Sequence, residues 1–115
     1  WNIQLNDPLF NALEYVYRLS STNGAMATLS SDGKFRAVIA LSDPGVPNWL
    51  DTSGHTEGLL QYRWIWTRTN PRPSCRIVSL AELRAHLPAD TPRVNAAERA
   101  RGIATRRRHI ARREL

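Results

Sequence analysis

The stretch Asp43-Pro44-Gly45-Val46-Pro47-Asn48-Trp49-Leu50-Asp51-Thr52-Ser53-Gly54-His55 decides how this chain is read, because it packs turn formers and reactive side chains between two strand-like segments. Asp43-Pro44-Gly45 puts Pro and Gly at the two central positions of a type II turn, and Pro47 restricts Val46 to extended conformations. A backbone fixed in this way can project Asn48, Trp49, Asp51, Thr52 and His55 as a binding loop. The same residues have a purely structural use, with Asn48 and Asp51 bonding loop amides and Trp49 plugging the end of a sandwich.

The flanks predict strands. Before the loop, Ser30-Ser31-Asp32-Gly33 separates Ala25–Leu29 from Lys34–Leu41, and the Asp-Gly pair suits a tight hairpin. Alternation puts Phe35, Ala37, Ile39 and Leu41 on a core face and Lys34, Arg36 and Val38 on the other. After the loop, residues 58–67 form a strand with Leu60, Tyr62, Trp64 and Trp66 on one side and Leu59, Gln61, Arg63 and Ile65 on the other. Apolar residues on both faces predict a central strand. Its aromatic row either fills a core or offers a stacking platform for sugars or unpaired bases. Arg63, on a partly apolar face, is expected to pair with Asp51 or Asp43.

Further out, Trp1-Asn2-Ile3-Gln4-Leu5 alternates with period two and ends at Asn6-Asp7-Pro8, as a half-buried strand running into a turn. Phe10 to Leu19 fits a short helix and an extended segment equally. Asn70-Pro71-Arg72-Pro73 breaks the strand pattern, and Cys75 to Val78 suggests a further short strand. Ser79-Leu80-Ala81-Glu82 matches a capping box for a helix from Leu80 to Leu87, stopped by Pro88. Asn95-Ala96-Ala97-Glu98 repeats that logic for a longer helix reaching about Arg113. Its seam of Ala97, Ala100, Ile103, Ala104, Ile110 and Ala111 is thin and is interrupted by Arg107, so the helix needs a surface to lie on. The predicted organisation is a β-sandwich portion of a larger domain over residues 1–70 and a helical basic extension over 71–115.

With 115 residues, 42% hydrophobic and 23% charged, the chain can build one small core. Residues 1–70 carry five basic against six acidic side chains, and residues 71–115 carry eleven against four. A neutral body with a basic tail suits an anionic partner, although fifteen of the sixteen basic residues are arginine, a bias that a GC-rich genome also produces. Arg106, Arg107, Arg108 and Arg112 are the anion-binding candidates, for nonspecific phosphate contact without a base-reading motif. Cys75 is the single cysteine, which excludes an internal disulfide and a Cys-rich zinc site and fits a reducing, cytoplasmic setting. No apolar run approaches the roughly 20 residues of a membrane-spanning helix.

For chemistry, His55-Thr56-Glu57 with Asp51 or Asp43 offers a minimal set of metal ligands, short of histidines. The same Asp51, His55 and Glu57 could supply acid-base chemistry as half of an enzyme site completed upstream. No Gly-x-Ser-x-Gly elbow, paired Cys/His or phosphate-cradling Gly-rich loop is present. No cofactor is predicted. The ligand-binding candidates are Asn48, Trp49, Asp51, His55 and Arg63, and convergence of Asn48, Asp51 and Arg63 through hydrogen bonds is the geometric expectation.

Taken in order, Trp1-Asn2-Ile3-Gln4-Leu5, Ser21-Thr22-Asn23, Asp32-Gly33, Asp43-Pro44-Gly45 with Asn48-Trp49-Leu50, and the Arg63-containing strand from Gly58 to Trp66 resemble the C-terminal β domain of the domain of unknown function 1214 family. The resemblance covers about residues 1 to 68. It implies a mainly β fold, an antiparallel jelly-roll-like sandwich, incomplete at its N-terminus here and paired with an upstream domain, and it implies no reaction. Asp51-Thr52-Ser53-Gly54-His55 stands where the family has a Pro-rich continuation, and the Arg-rich helical extension is atypical, as in a divergent branch. A start at Trp1, inside an alternating strand, fits the C-terminal piece of a larger β-rich protein. The expected function is ligand recognition or interdomain packing by an accessory β domain.

Overall fold

A computed structural model describes residues 1–113. Alternation of Trp1, Ile3 and Leu5 with Asn2, Gln4 and Asn6 gives β1 (Asn2–Asn6), which buries Ile3 and Leu5. It is the middle of a three-stranded antiparallel sheet with β2 (Ser21–Asn23) and β5 (Leu59–Arg63), in the order β2-β1-β5. Gln4 stands opposite Ser21 on one side and Gln61 on the other. A second sheet pairs β3 (Val38–Ala40) with β4 (Trp49–Asp51), and this pairing is parallel. Leu50 of β4 joins Ile3, Leu5 and Leu13 in the core, with Trp1, Phe35 and Leu60 packed against it. The architecture is therefore mainly β in its first half, with mixed strand directions and a C-terminal helix.

The chain between β1 and β2 is neither helix nor strand. Asp7 Oδ1 accepts the amides of Leu9 and Asn11, and the Glu14 carboxylate accepts those of Val16 and Tyr17. Acidic side chains that bond amides two to four residues on compete with regular structure, and here they win. The hook is tied back where Leu5 donates to Ser20 O at 2.9 Å and Leu13 donates to Leu5 O at 3.3 Å, which inserts Leu13 into the core.

Around Asp32-Gly33 the expected hairpin shrinks to one bridge between Leu29 and Phe35, with Gly33 at φ +78° in the turn. The backbone loses its alternation between Phe35 and Val38, and the face assignment inverts. Ala40 is buried and Val38 half-buried, whereas Ile39 and Leu41 are exposed. The parallel partner supplies the reason: Val38 accepts its register from Trp49 across the Asp43–Asn48 crossover, not from a hairpin neighbour.

Beyond the strands, residues 75–78 carry no strand. Leu80–His86 winds as a 3-10 helix, and the Ser79 hydroxyl donates to Glu82 Oε2 in place of capping a backbone amide. The second box behaves as expected. Asn95 Oδ1 accepts from Glu98 N at 2.9 Å and Glu98 Oε2 accepts from Asn95 N at 2.8 Å, opening α1 (Ala96–Ala111). No helix among the described residues is long and apolar enough to cross a membrane.

Candidate functional site

The Asp43–His55 loop is spent on holding the fold together. Gly45 adopts φ +68°, as the turn requires, and donates its N–H to Asp43 Oδ1. Gly45 O accepts from Val94 N at 2.9 Å, so the C-terminal extension is fastened to the turn. Asp43 also accepts two 2.9 Å bonds from Arg99, whose Nη2 reaches Val46 O at 2.7 Å. The Arg99 guanidinium lies 5.3 Å from the centre of the Trp49 ring. That bidentate contact holds the Asp43 carboxyl below the usual carboxylate range.

Asn48 sits at φ +58°, a left-handed conformation that asparagine tolerates better than most residues. Its carboxamide accepts from Thr28 N and donates to Thr28 O and Arg36 O, stitching three chain segments together. Trp49 Nε1 donates to Ala40 O at 2.9 Å. Asp51 is buried, accepts from Ser53 N at 2.8 Å and pairs with Arg18 at 3.1 Å.

The expected partnership of Arg63 with Asp51 or Asp43 is therefore overturned, and with it the convergence of Asn48, Asp51 and Arg63. Arg63 ends β5 exposed, while Arg18 and Arg99 occupy the two carboxylates. The reason is positional: Asp51 donates its own amide to Leu19 O, which puts it beside the residue before it, Arg18. His55 is exposed and its Nδ1 lies 3.2 Å from Thr52 O. Glu57 is exposed as well, and among the described residues no three His, Cys, Asp or Glu side chains converge as a metal would need.

One hollow adjoins this loop and another lies away from it. The first, of about 230 Å³, lies between Thr28–Ser31, Val46–Asn48 and Leu87–Pro92, so the extension forms one wall. It is smaller than the usual 300–1,000 Å³ ligand pocket, and Asn48 at its edge already uses its amide internally. The other, about 290 Å³, is a recess beside Trp1, Phe35 and Trp64. Here the aromatic row is partly realised, with Tyr62 and Trp64 at 5.9 Å, Trp64 and Trp1 at 5.9 Å, and Trp1 and Phe35 at 4.8 Å between ring centres. Trp66 leaves the row because the strand ends at Arg63, and it stands fully exposed at φ +53°.

The arginines of α1 divide by face. Arg106 is buried and donates to Tyr15 O at 2.7 Å, Ser21 O at 2.6 Å and the Ser21 hydroxyl. Burial draws its pKa down, with the Glu14 charge opposing the shift. Arg107 covers Tyr17 at 4.5 Å. Of the four anion-binding candidates, these two serve the fold, while Arg108 and Arg112 are exposed. Arg99, Ile103, Arg106 and Ile110 recur at four- and three-residue steps, and all four are buried or half-buried. The expected seam held Ile103 and Ile110, but its alanines, Ala97, Ala100, Ala104 and Ala111, are exposed, and Arg99 and Arg106 take their place. The alignment of these arginines with the two isoleucines was the available signal.

No protein-family model matches the chain, and no curated protein matches it. Among solved structures it is similar to an uncharacterized protein from Burkholderia cenocepacia, at 36% sequence identity and a TM-score of 0.68 over 70% of this chain. The match takes in 22% of that protein's chain, so the present chain spans only about a fifth of the relative's length.

Proposed function

We propose that this chain is an accessory β domain whose role is to pack on a neighbouring domain of a larger protein, within a jelly-roll-like sandwich of the kind found in the domain of unknown function 1214 family. The observation that carries the reading is the apolar surface left in solvent just after β5: Ile65 is 59% exposed and Trp66 wholly so. Scattered apolar residues are ordinary on surfaces, but a run of this kind marks an interface. The much longer B. cenocepacia relative supports a domain that works inside a larger polypeptide. The loop argues against ligand recognition as the main role, since Asn48, Trp49 and Asp51 bond within the fold. It argues equally against half of an enzyme site, because Asp51 is already paired and His55 and Glu57 stand in solvent.

The test is acrylamide quenching of tryptophan fluorescence, in this chain and in the longer polypeptide that the reading requires. Subtracting a Trp66→Phe variant isolates the Trp66 signal. Trp66 should be quenched freely in the chain and shielded in the longer polypeptide. Equal quenching in both would sink the packing role.

A further inference from the structure

We propose that the outer edge of β5 pairs with β5 of a second copy of this chain, antiparallel and two-fold about Gln61. The sequence pattern of this strand suits the middle of a sheet, yet in the structure it is an edge. Alternation fixes which backbone groups face outward. Leu5 N donates to Ser20 O and Gly24 N to Trp1 O, so Trp1, Ile3 and Leu5 address β2. Asn2, Gln4 and Asn6 then address β5, opposite Arg63, Gln61 and Leu59. It follows that Leu60 and Tyr62 point their N–H and C=O groups away from β1, where no strand lies among the described residues.

The sheet's two edges are treated differently. At β2, the outward carbonyl of Ser21 is already occupied, accepting from Arg106 of α1. At β5 there is no proline or bulge from Leu59 to Arg63, and the one charged side chain, Arg63, stands at the end of the strand.

The strand is complementary to itself in the register that its outward groups impose. Leu60 opposite the partner's Tyr62, and Tyr62 opposite the partner's Leu60, form two hydrogen-bonded pairs that exchange four backbone bonds. Both pairs are apolar. Leu59 meets the partner's Arg63, so no like charges face each other. At the axis Gln61 meets its own copy, at about the 4.5 Å Cα spacing of a non-hydrogen-bonded pair. The product is a six-stranded sheet running β2-β1-β5 and back.

The test is the solution mass by light scattering across protein concentration. The wild type should rise from 13.0 kDa toward twice that mass. Gln61→Lys and Gln61→Glu each put like charges on the axis and should weaken association by about tenfold or more. Mixed in equal amounts, the two variants should recover it. Circular dichroism verifies that both fold, and Tyr62→Pro is the second variant, since it removes an outward N–H and none of the bonds to β1. A wild type that stays monomeric, variants that associate as the wild type does, or a mixture without recovery each overturn the proposal. Association that survives at residue 61 but responds to Ile65→Ser and Trp66→Ser would overturn it while leaving the packing role of the apolar surface intact.

Discussion

Replacing Arg106 with alanine should undock α1. Three hydrogen bonds to a charged donor, at about 1.5–3 kcal/mol each, amount to a gross loss of at least about 4.5 kcal/mol. Against this, alanine releases the cost of desolvating a buried guanidinium, several kcal/mol in proteins. The carbonyls of Tyr15 and Ser21 lose their donor, so the balance stays unfavourable, at about 3 kcal/mol. Urea unfolding of a small protein has a slope of about 1.5 kcal/mol/M, so the midpoint should fall by about 2 M. Far-UV circular dichroism should register helix loss as well, because a 16-residue helix with Gly102 in it is marginal once undocked. The control is Arg108→Ala, which removes a single exposed bond to Thr105 and should change stability by less than about 0.5 kcal/mol. Equal effects of the two substitutions would refute the argument that Arg106 staples the helix.

Asp43→Asn weakens the tie between the turn and Arg99, and its effect should depend on pH. The folded pKa of Asp43 is depressed below its ordinary value of 3.8, so its contribution is present above that value and lost as pH falls through the folded pKa. For a carboxylate one-third exposed we expect the variant to lose about 1 kcal/mol at pH 7 and to match the wild type in strong acid, as measured by urea midpoints across pH. Asn48→Ala should cost about 2–3 kcal/mol, combining left-handed strain with orphaned groups at Thr28 and Arg36, and Asn48→Gly should recover about 1 kcal/mol of that. Equal stability of the alanine and glycine variants would refute the strain component.

The elements legible in the sequence are those whose cause is local. β1 follows from alternation over five residues, and α1 from a capping box that satisfies its own amides within four. The role of Asn48 as an anchor of loop amides was likewise one of the two readings its residue type allowed. β3 was misread because a break in alternation between Phe35 and Val38 flips every later side chain, and parity cannot reveal such a break.

What the sequence determined by itself is the set of residues able to make strands, turns and caps, since these depend on backbone sterics and on neighbours a few positions away. What only the tertiary structure decided is which charges meet and which strand ends a sheet. Arg18 reaches Asp51 across 33 residues, Arg99 reaches Asp43 across 56, and Arg106 reaches Tyr15 across 91. An arginine can serve any carboxylate or carbonyl, so its residue type does not specify its partner. The choice is made when burial leaves a particular acceptor without water.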